Sequence, residues 1–305
     1  MEAVTEQRSK IFVRDLLEGQ VALVTGGGTG LGRATALELA RCGATVLIAG
    51  RRSEVLEEAV VQSAGEAGAA GVAAGAGADG ARGEGARAGR LIAAPPGDIR
   101  DADYARRLLS YVLDGHGRVD LLVNNAGGQF FSPAELISAN GWRAVWRLNV
   151  EGMLNMSEAA HELAFAAAGG GKIVNVTLSP HHGMPGMAHS GSARATVEAL
   201  TRELAARWSE DGVTVAAVAV GVFETDALGK YPVSVRAGMS RTVPLQRLGT
   251  VAEHAWLVTL LASPLGGALN GSTVTIDGAR DNWWGAWPPP GLADEEGVVP
   301  VEERR

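Results

Sequence analysis

Short apolar runs rich in Val, Ile and Leu alternate along this chain with longer stretches whose apolar positions recur at helical spacing. "QVALVTG" (20–26) reads as a strand and "GRATALELARCG" (32–43) as a helix stopped by Gly43. "ATVLIAG" (44–50) and "SEVLEEAVVQSA" (53–64) repeat the pair. "RLIAAPPGDI" (90–99) predicts a short third strand, and a helix follows over 101–115. "RVDLLVNNAG" (118–127) is strand four, before a helical pattern from Pro133 to Ala168 that leaves room for a break. "GKIVNVTLS" (171–179), a helix over 186–209 and "GVTVAAVAVG" (212–221) come next. "VAEHAWLVTLLAS" (251–263) and "GSTVTIDG" (271–278) end the pattern as a helix and a last strand.

Unbroken apolar strands between helices mark a parallel sheet covered on both faces. Seven of them predict one α/β domain over 1–280, a doubly wound, Rossmann-like, seven-stranded parallel sheet. Two segments stand outside the pattern. The tract at 64–90, "AGEAGAAGVAAGAGADGARGEGARAGR", has too much Gly for a helix and too few core formers, and is expected to be a flexible insertion. The tail over 281–305 is Trp- and Pro-rich, with Trp283, Trp284 and Trp287 close together. A subunit interface is the favoured reading of the tail, and a lid over the substrate cleft the other. "LGKYPVSVRAGMS" (228–240) is a second candidate lid.

Composition narrows the function. The 305 residues carry a formal net charge of −7, which argues against nucleic-acid binding. A single Cys42 excludes a disulfide framework, and six histidines without an H-E-x-x-H pattern give no support for a metal site. No apolar run reaches 18 residues and no signal pattern opens the chain, so a cytoplasmic protein without membrane contact is expected. Only Lys10, Lys172 and Lys230 are lysines, so few could stand in for a missing catalytic one.

Chemistry enters at "VTGGGTGLGRA" (24–34), between the first strand and the first helix. Glycines there allow a tight turn and close approach of backbone to a pyrophosphate. The helix N-terminus adds unpaired N–H groups and the positive end of its dipole. The bland alternative is an ordinary strand–helix turn. Glycines at 26, 27, 28, 30 and 32 in this context weigh against it and make Thr25, Gly26, Gly28, Thr29, Gly30, Leu31 and Gly32 candidates for cofactor contact.

The spacing T-G-x-x-x-G-x-G (Thr25, Gly26, Gly30, Gly32) resembles the short-chain dehydrogenase/reductase family. Further motifs of that family follow in order over about 18–280. "GDI" supplies Asp98 and Ile99, which the resemblance places beside the adenine. "NNAG" (124–127) supplies Asn125, Ala126 and Gly127 under the cofactor ribose, and Asn149 matches the active-site Asn. "GVFET" (221–225) supplies Gly221, Val222 and Thr225 for the nicotinamide carboxamide. Strand two ends in Arg51 and Arg52 where NAD-specific sites put a carboxylate. Arg pairs with phosphate, so NADP(H) is the expected cofactor, although a solvated Arg pair after a strand is common.

The family's catalytic helix carries Tyr-x-x-x-Lys. Here "HSGSAR" aligns Ser190 with the Tyr and Arg194 with the Lys, and Leu178 falls near the usual Ser, flanked by Thr177 and Ser179. Arg194 can hold ribose hydroxyls but is a poor proton donor. His181, His182 and His189 cluster nearby, and Tyr231 follows the carboxamide loop. His189, His182, Ser190 and Tyr231 are the candidate donors. For any one of these histidines, a polar residue without a catalytic part is the commoner case. "NNAGGQFFSPAELISANGW", "AHSGSARATVEALT" and "RDNW" resemble the branch containing peroxisomal trans-2-enoyl-CoA reductases and their bacterial relatives, which share the replacement. That implies NADPH-dependent reduction of an activated C=C bond in an acyl-CoA or acyl carrier protein thioester, by a homotetramer or homodimer. The alternatives are a ketone or imine reductase with a non-Tyr donor, and a cofactor-binding protein without turnover.

Overall fold

Every predicted strand forms, and all of them lie side by side. The computed structural model describes residues 9–67, 89–179, 181, 183, 186–230, 236 and 239–283. In order these build β1 (Val21–Thr25), α1 (Gly30–Arg41), β2 (Thr45–Ala49), α2 (Ser53–Ala67), β3 (Arg90–Ala93) and α3 (Ala102–His116). Then come β4 (Leu121–Asn124), a long helix α4 over 139–168, β5 (Gly171–Leu178), α5 (Ala188–Trp208), β6 (Val213–Val220), α6 (Val251–Ala262) and β7 (Thr273–Ile276). The sheet runs β3-β2-β1-β4-β5-β6-β7 with every pair parallel. The order reverses between β1 and β4, which opens a crevice at their carboxyl ends where ligands bind in such sheets.

The period-two alternation of each strand divides the core into two layers. Ala22, Val24, Val46, Ile48, Val174 and Val218 turn to one face, where Leu39 of α1 and Val258 and Leu261 of α6 cover them. Leu23, Leu47, Leu122, Ile173 and Val215 turn to the other, against Leu108, Leu109, Met156, Phe165 and Trp208. A chain of buried polar groups ties the second layer together. Asn124 on β4 donates to Ser157 on α4 and to Asn175 on β5, each at 2.9 Å, and Asn175 donates to Thr201 on α5 at 2.9 Å. Leaving one of these buried groups unpaired costs about 1–3 kcal/mol.

Three boundaries differ from the sequence pattern. β3 stops at Ala93, because Pro95 and Pro96 cannot donate to a ladder. α2 continues to Ala67, four residues into the tract expected to be an insertion from 64 to 90; residues 68–88 of that tract lie outside the described residues. The break within α4 is two π-helical segments, Arg147–Glu151 and His161–Phe165, in an otherwise continuous helix. Of the tail, a 3-10 turn over Arg280–Asn282 and Trp283 are described, and Trp284 and Trp287 lie outside.

Helix α6 starts with a full capping box, in which the Thr250 hydroxyl accepts from the Glu253 N–H and the Glu253 carboxylate accepts from the Thr250 N–H. One turn in, His254 is fully buried, edge-on to Phe223 at 6.0 Å, and neither ring nitrogen is hydrogen-bonded among the described residues. Burial pushes its pKa down to about 4. The unfolded chain takes up that proton near pH 6.5, so the stability from keeping His254 neutral is complete above pH 6.5 and is lost as pH falls towards 4. The expected loss is about 1.4 kcal/mol per pH unit across that window. Urea unfolding at pH 7 and pH 4.5 should show this acid limb in the native protein and a flatter one in His254→Leu.

Candidate active site

Three turns at the carboxyl ends of β1, β4 and β6 meet at the crevice. The first is the Gly-rich turn. Gly26 (φ +65°) and Gly30 (φ +52°) hold backbone that residues with a Cβ rarely adopt. A Cβ on Gly32 would sit 2.3 Å from both the Asn125 side-chain amide and the Gly26 carbonyl, so only Gly lets α1 approach β1 this closely. Thr29 stands at the N-cap of α1, but its hydroxyl does not cap, and no acidic residue occupies the first turn. The first N–H groups of α1 are thereby left to a ligand anion.

Thr25 and Asn125 face each other beneath that turn. The Thr25 hydroxyl donates to the Val123 carbonyl (3.3 Å) and accepts from the N–H groups of Asn125 (3.1 Å) and Ala126 (3.0 Å). The Asn125 side chain donates to the Thr25 and Gly26 carbonyls at 3.0 and 3.3 Å. Both residues therefore brace the cradle from within. On the third turn, Thr225 lies opposite Gly30, and Val222 accepts from the Gly249 N–H at 3.0 Å. Gly221 is pressed against Asp277, where a Cβ would come within 2.6 Å.

Asn149 is fully committed. It lies in the first π segment of α4, where its amide donates to the carbonyls of Val145 (2.7 Å) and Gly128 (2.8 Å) and its oxygen accepts from the Gly128 N–H (3.2 Å). That fixes the loop after β4. Arg194, on α5, enters the space beside Gly127, where an added Cβ would lie 2.2 Å from Nη2. Its Nη1 donates to the Val176 carbonyl at 2.6 Å, and its Nε is buried with no partner among the described residues. Burial pulls the guanidinium pKa down to about 10, which still leaves it charged at neutral pH.

Ser190 is buried, and its hydroxyl donates to Oε1 of Gln129 at 2.7 Å. His189 is also buried, edge-on to Phe130 (4.3 Å) and Trp142 (6.0 Å). Burial pushes its pKa down against the opposing Met187 backbone. Leu178 is the last residue of β5. Thr177 beside it is directed at the Arg194 carbonyl and Glu198, each at 3.1 Å, and Ser179 donates to Asp277. At the far end of the crevice, Asp98 is gripped by Arg100 through Nε (2.9 and 3.0 Å) and Nη2. That hydrogen bonding, joined by the Arg51 charge, holds the Asp98 carboxyl below its usual range. Arg51 and Arg52 are exposed beside it. Ile99 is buried against Gly152 and its carbonyl accepts from Asn155 at 3.0 Å. His182 and Tyr231 lie outside the described residues.

Known proteins are similar to this chain over most of its length. The family model described as enoyl-(acyl carrier protein) reductase matches residues 58–279. The chain belongs to the short-chain dehydrogenase/reductase family. It is 33% identical over 281 residues to a peroxisomal 2,4-dienoyl-CoA reductase of Danio rerio, covering 91% of this chain and 84% of that one. It is 32% identical to a probable 2,4-dienoyl-CoA reductase of Bacillus subtilis, covering 89% and 100%. Among solved structures, a citronellol catabolism dehydrogenase of Pseudomonas aeruginosa superposes with a TM-score of 0.73 at 34% identity, covering 90% and 99%. A gluconate 5-dehydrogenase of Burkholderia cenocepacia in complex with NADP and tartrate gives 0.75 at 26%, covering 89% and 99%.

As a member of this family the protein is an oxidoreductase that uses a nicotinamide cofactor, and its crevice fits one. The glycine cradle leaves room for a pyrophosphate, and the orphaned Nε of Arg194 leaves a donor where the resemblance puts the nicotinamide ribose. Two residues of the crevice escaped the sequence reading. Gln129 touches Ser190 across 61 positions, and Arg100 clamps a motif residue two positions away. For Gln129 no local pattern announces the contact; for Arg100 the Asp-x-Arg spacing was a usable signal.

Gly127→Ala should push the guanidinium of Arg194 out of its place and press on Oδ1 of Asn149, 2.8 Å from the added Cβ. Calorimetric titration with a nicotinamide dinucleotide should show affinity reduced at least about tenfold, the equivalent of one lost charge-assisted hydrogen bond.

Proposed function

We propose that this protein is an NADPH-dependent reductase of a conjugated C=C bond in an acyl thioester. The observation that carries this reading is the Ser190–Gln129 hydrogen bond, with Ser190 aligned with the usual Tyr and Arg194, one helical turn on, aligned with the usual Lys. The exposed Arg51 and Arg52 support a 2′-phosphate, and the relatives named as 2,4-dienoyl-CoA reductases support a conjugated thioester.

A bound nicotinamide supplies hydride. Arg194, through Nε and Nη2, holds ribose hydroxyls and sets positive charge at that end of the crevice. Ser190 donates to Oε1 of Gln129, and the amide NH2 of that side chain is the donor the pair can offer to substrate. Hydride addition to a conjugated thioester drives an electron pair onto the carbonyl oxygen. The resulting enolate is stabilised by hydrogen bonds alone and takes its proton at carbon in a later step. Ketone reduction makes an alkoxide, which needs an acid at once. His189 is spent on ring packing and Arg194 keeps its proton, so the described residues suit the enolate. His182, Tyr231 and water are the remaining candidate sources of that proton.

Purified protein with NADPH should consume nicotinamide absorbance with 2-enoyl-CoA or 2,4-dienoyl-CoA substrates and leave simple ketones untouched. Ketone turnover without thioester turnover would overturn the assignment. Gln129→Ala should lower kcat/KM for the thioester by about 100-fold, the usual effect of removing one oxyanion donor, with NADPH affinity unchanged.

A further inference from the structure

His181, in the segment after β5, lies between two carboxylates from different parts of the chain. Its Nε2 is 3.0 Å from Oε1 of Glu198 on α5, one helical turn beyond Arg194. Its Nδ1 meets Oδ2 of Asp281 in the C-terminal 3-10 turn, and its backbone N–H donates to Oδ1 of the same residue at 2.6 Å. Each carboxylate accepts only, so each ring nitrogen has to carry a hydrogen, and imidazole has two only when protonated. The carboxylates lie on opposite edges of the ring, so they do not converge on one metal ion. Among the described residues no group of three or more such ligands does.

The carboxylates are anchored in turn. Glu198 also accepts from the Thr177 hydroxyl of β5, which reaches the Arg194 carbonyl as well. Asp281 is held by its backbone N–H, which donates to Asp277 at 2.8 Å, and Asp277 accepts from Ser179. Between them, Ala279 keeps a left-handed backbone (φ +71°), a conformation costing about 1–2 kcal/mol that persists only where its surroundings hold it.

We propose that protonated His181 is a staple that fastens the C-terminal turn to the helix carrying Arg194, and that it opens as pH rises. Among the described residues the charged groups around it are Glu198 on α5 and Asp281 and Asp277 beyond β7. Arg280 of that turn is directed to the Thr242 hydroxyl instead. Partial burial works against the charge, but the bond to Asp281 and the charges of Glu198 and Asp281 outweigh it, so the pKa of His181 is raised. A raised pKa means that the contribution is complete below pH 6.5 and disappears as pH climbs through the folded value. The staple is independent of which substrate the crevice takes.

NMR of the histidine side chains in the full-length protein tests it directly. His181 should titrate above 6.5 in the native protein, and the Glu198→Gln/Asp281→Asn pair should bring it down by at least one unit. Amide exchange at pH 6.5 gives the second measurement. His181→Asn should speed exchange in 279–283 at least about tenfold, and His181→Arg, which stays charged and can bond both carboxylates, should restore protection and remove its pH dependence. A native His181 that titrates at or below 6.5, or equal exchange in His181→Asn and the native protein, overturns the proposal. The native titration decides the matter even if a variant does not fold.

Discussion

Two turns that are distant in sequence have to touch, and they touch through one hydroxyl. Thr25 ends β1 and Asn125 follows β4, and the Thr25 hydroxyl satisfies backbone groups of Val123, Asn125 and Ala126 at once. Asn125 returns the contact by tying off the carbonyls of Thr25 and Gly26. Everything built above the sheet inherits its position from this lock. The Gly-rich turn is fixed from below, Gly127 is set against Arg194, and Gly128 is presented to Asn149. The crevice is therefore a property of packed backbone.

On the proposed reading, with Ser190 and Arg194 standing where the family resemblance puts Tyr and Lys, α5 brings a different chemical character to the site. A Tyr–Lys pair owes its usefulness to groups that exchange protons. Ser190 and Arg194 barely do. What remains is fixed charge and oriented dipoles, an arrangement suited to stabilising a developing anion and poor at delivering a proton on demand. The proposed reaction follows from that division.

The fold was legible because apolar periodicity and glycine spacing are local signals. β1 and β2 could be found from five-residue runs, and Gly26, Gly30 and Gly32 from their spacing alone. Arg194 was placed by resemblance, and the structure puts its guanidinium beside the loop after β4. Contacts made between distant segments were not legible. Ser190 pairs with Gln129, and His181 joins Glu198 to Asp281, across 17 and 100 positions. No window of sequence contains both partners of such a pair. The ring packing of His189, one of the candidate donors, against Phe130 of the loop after β4 and Trp142 of α4 joins segments equally far apart.

The first π segment of α4 carries a consequence for the crevice. A π-turn is an α-helix holding one residue more than its pitch requires. Within that segment, Arg147–Glu151, the Asn149 side chain donates to the Val145 carbonyl one turn back. Deleting one residue there would let the helix close into regular α geometry, and the turns beyond it would keep the faces they now present. Met156 and Phe165 would stay in the core and Ser157 on Asn124. The Asn149 amide, which holds the loop after β4 through Gly128, would lose the backbone that aims it. The extra residue between exposed Arg147 and Glu151 thus serves the crevice and not the core.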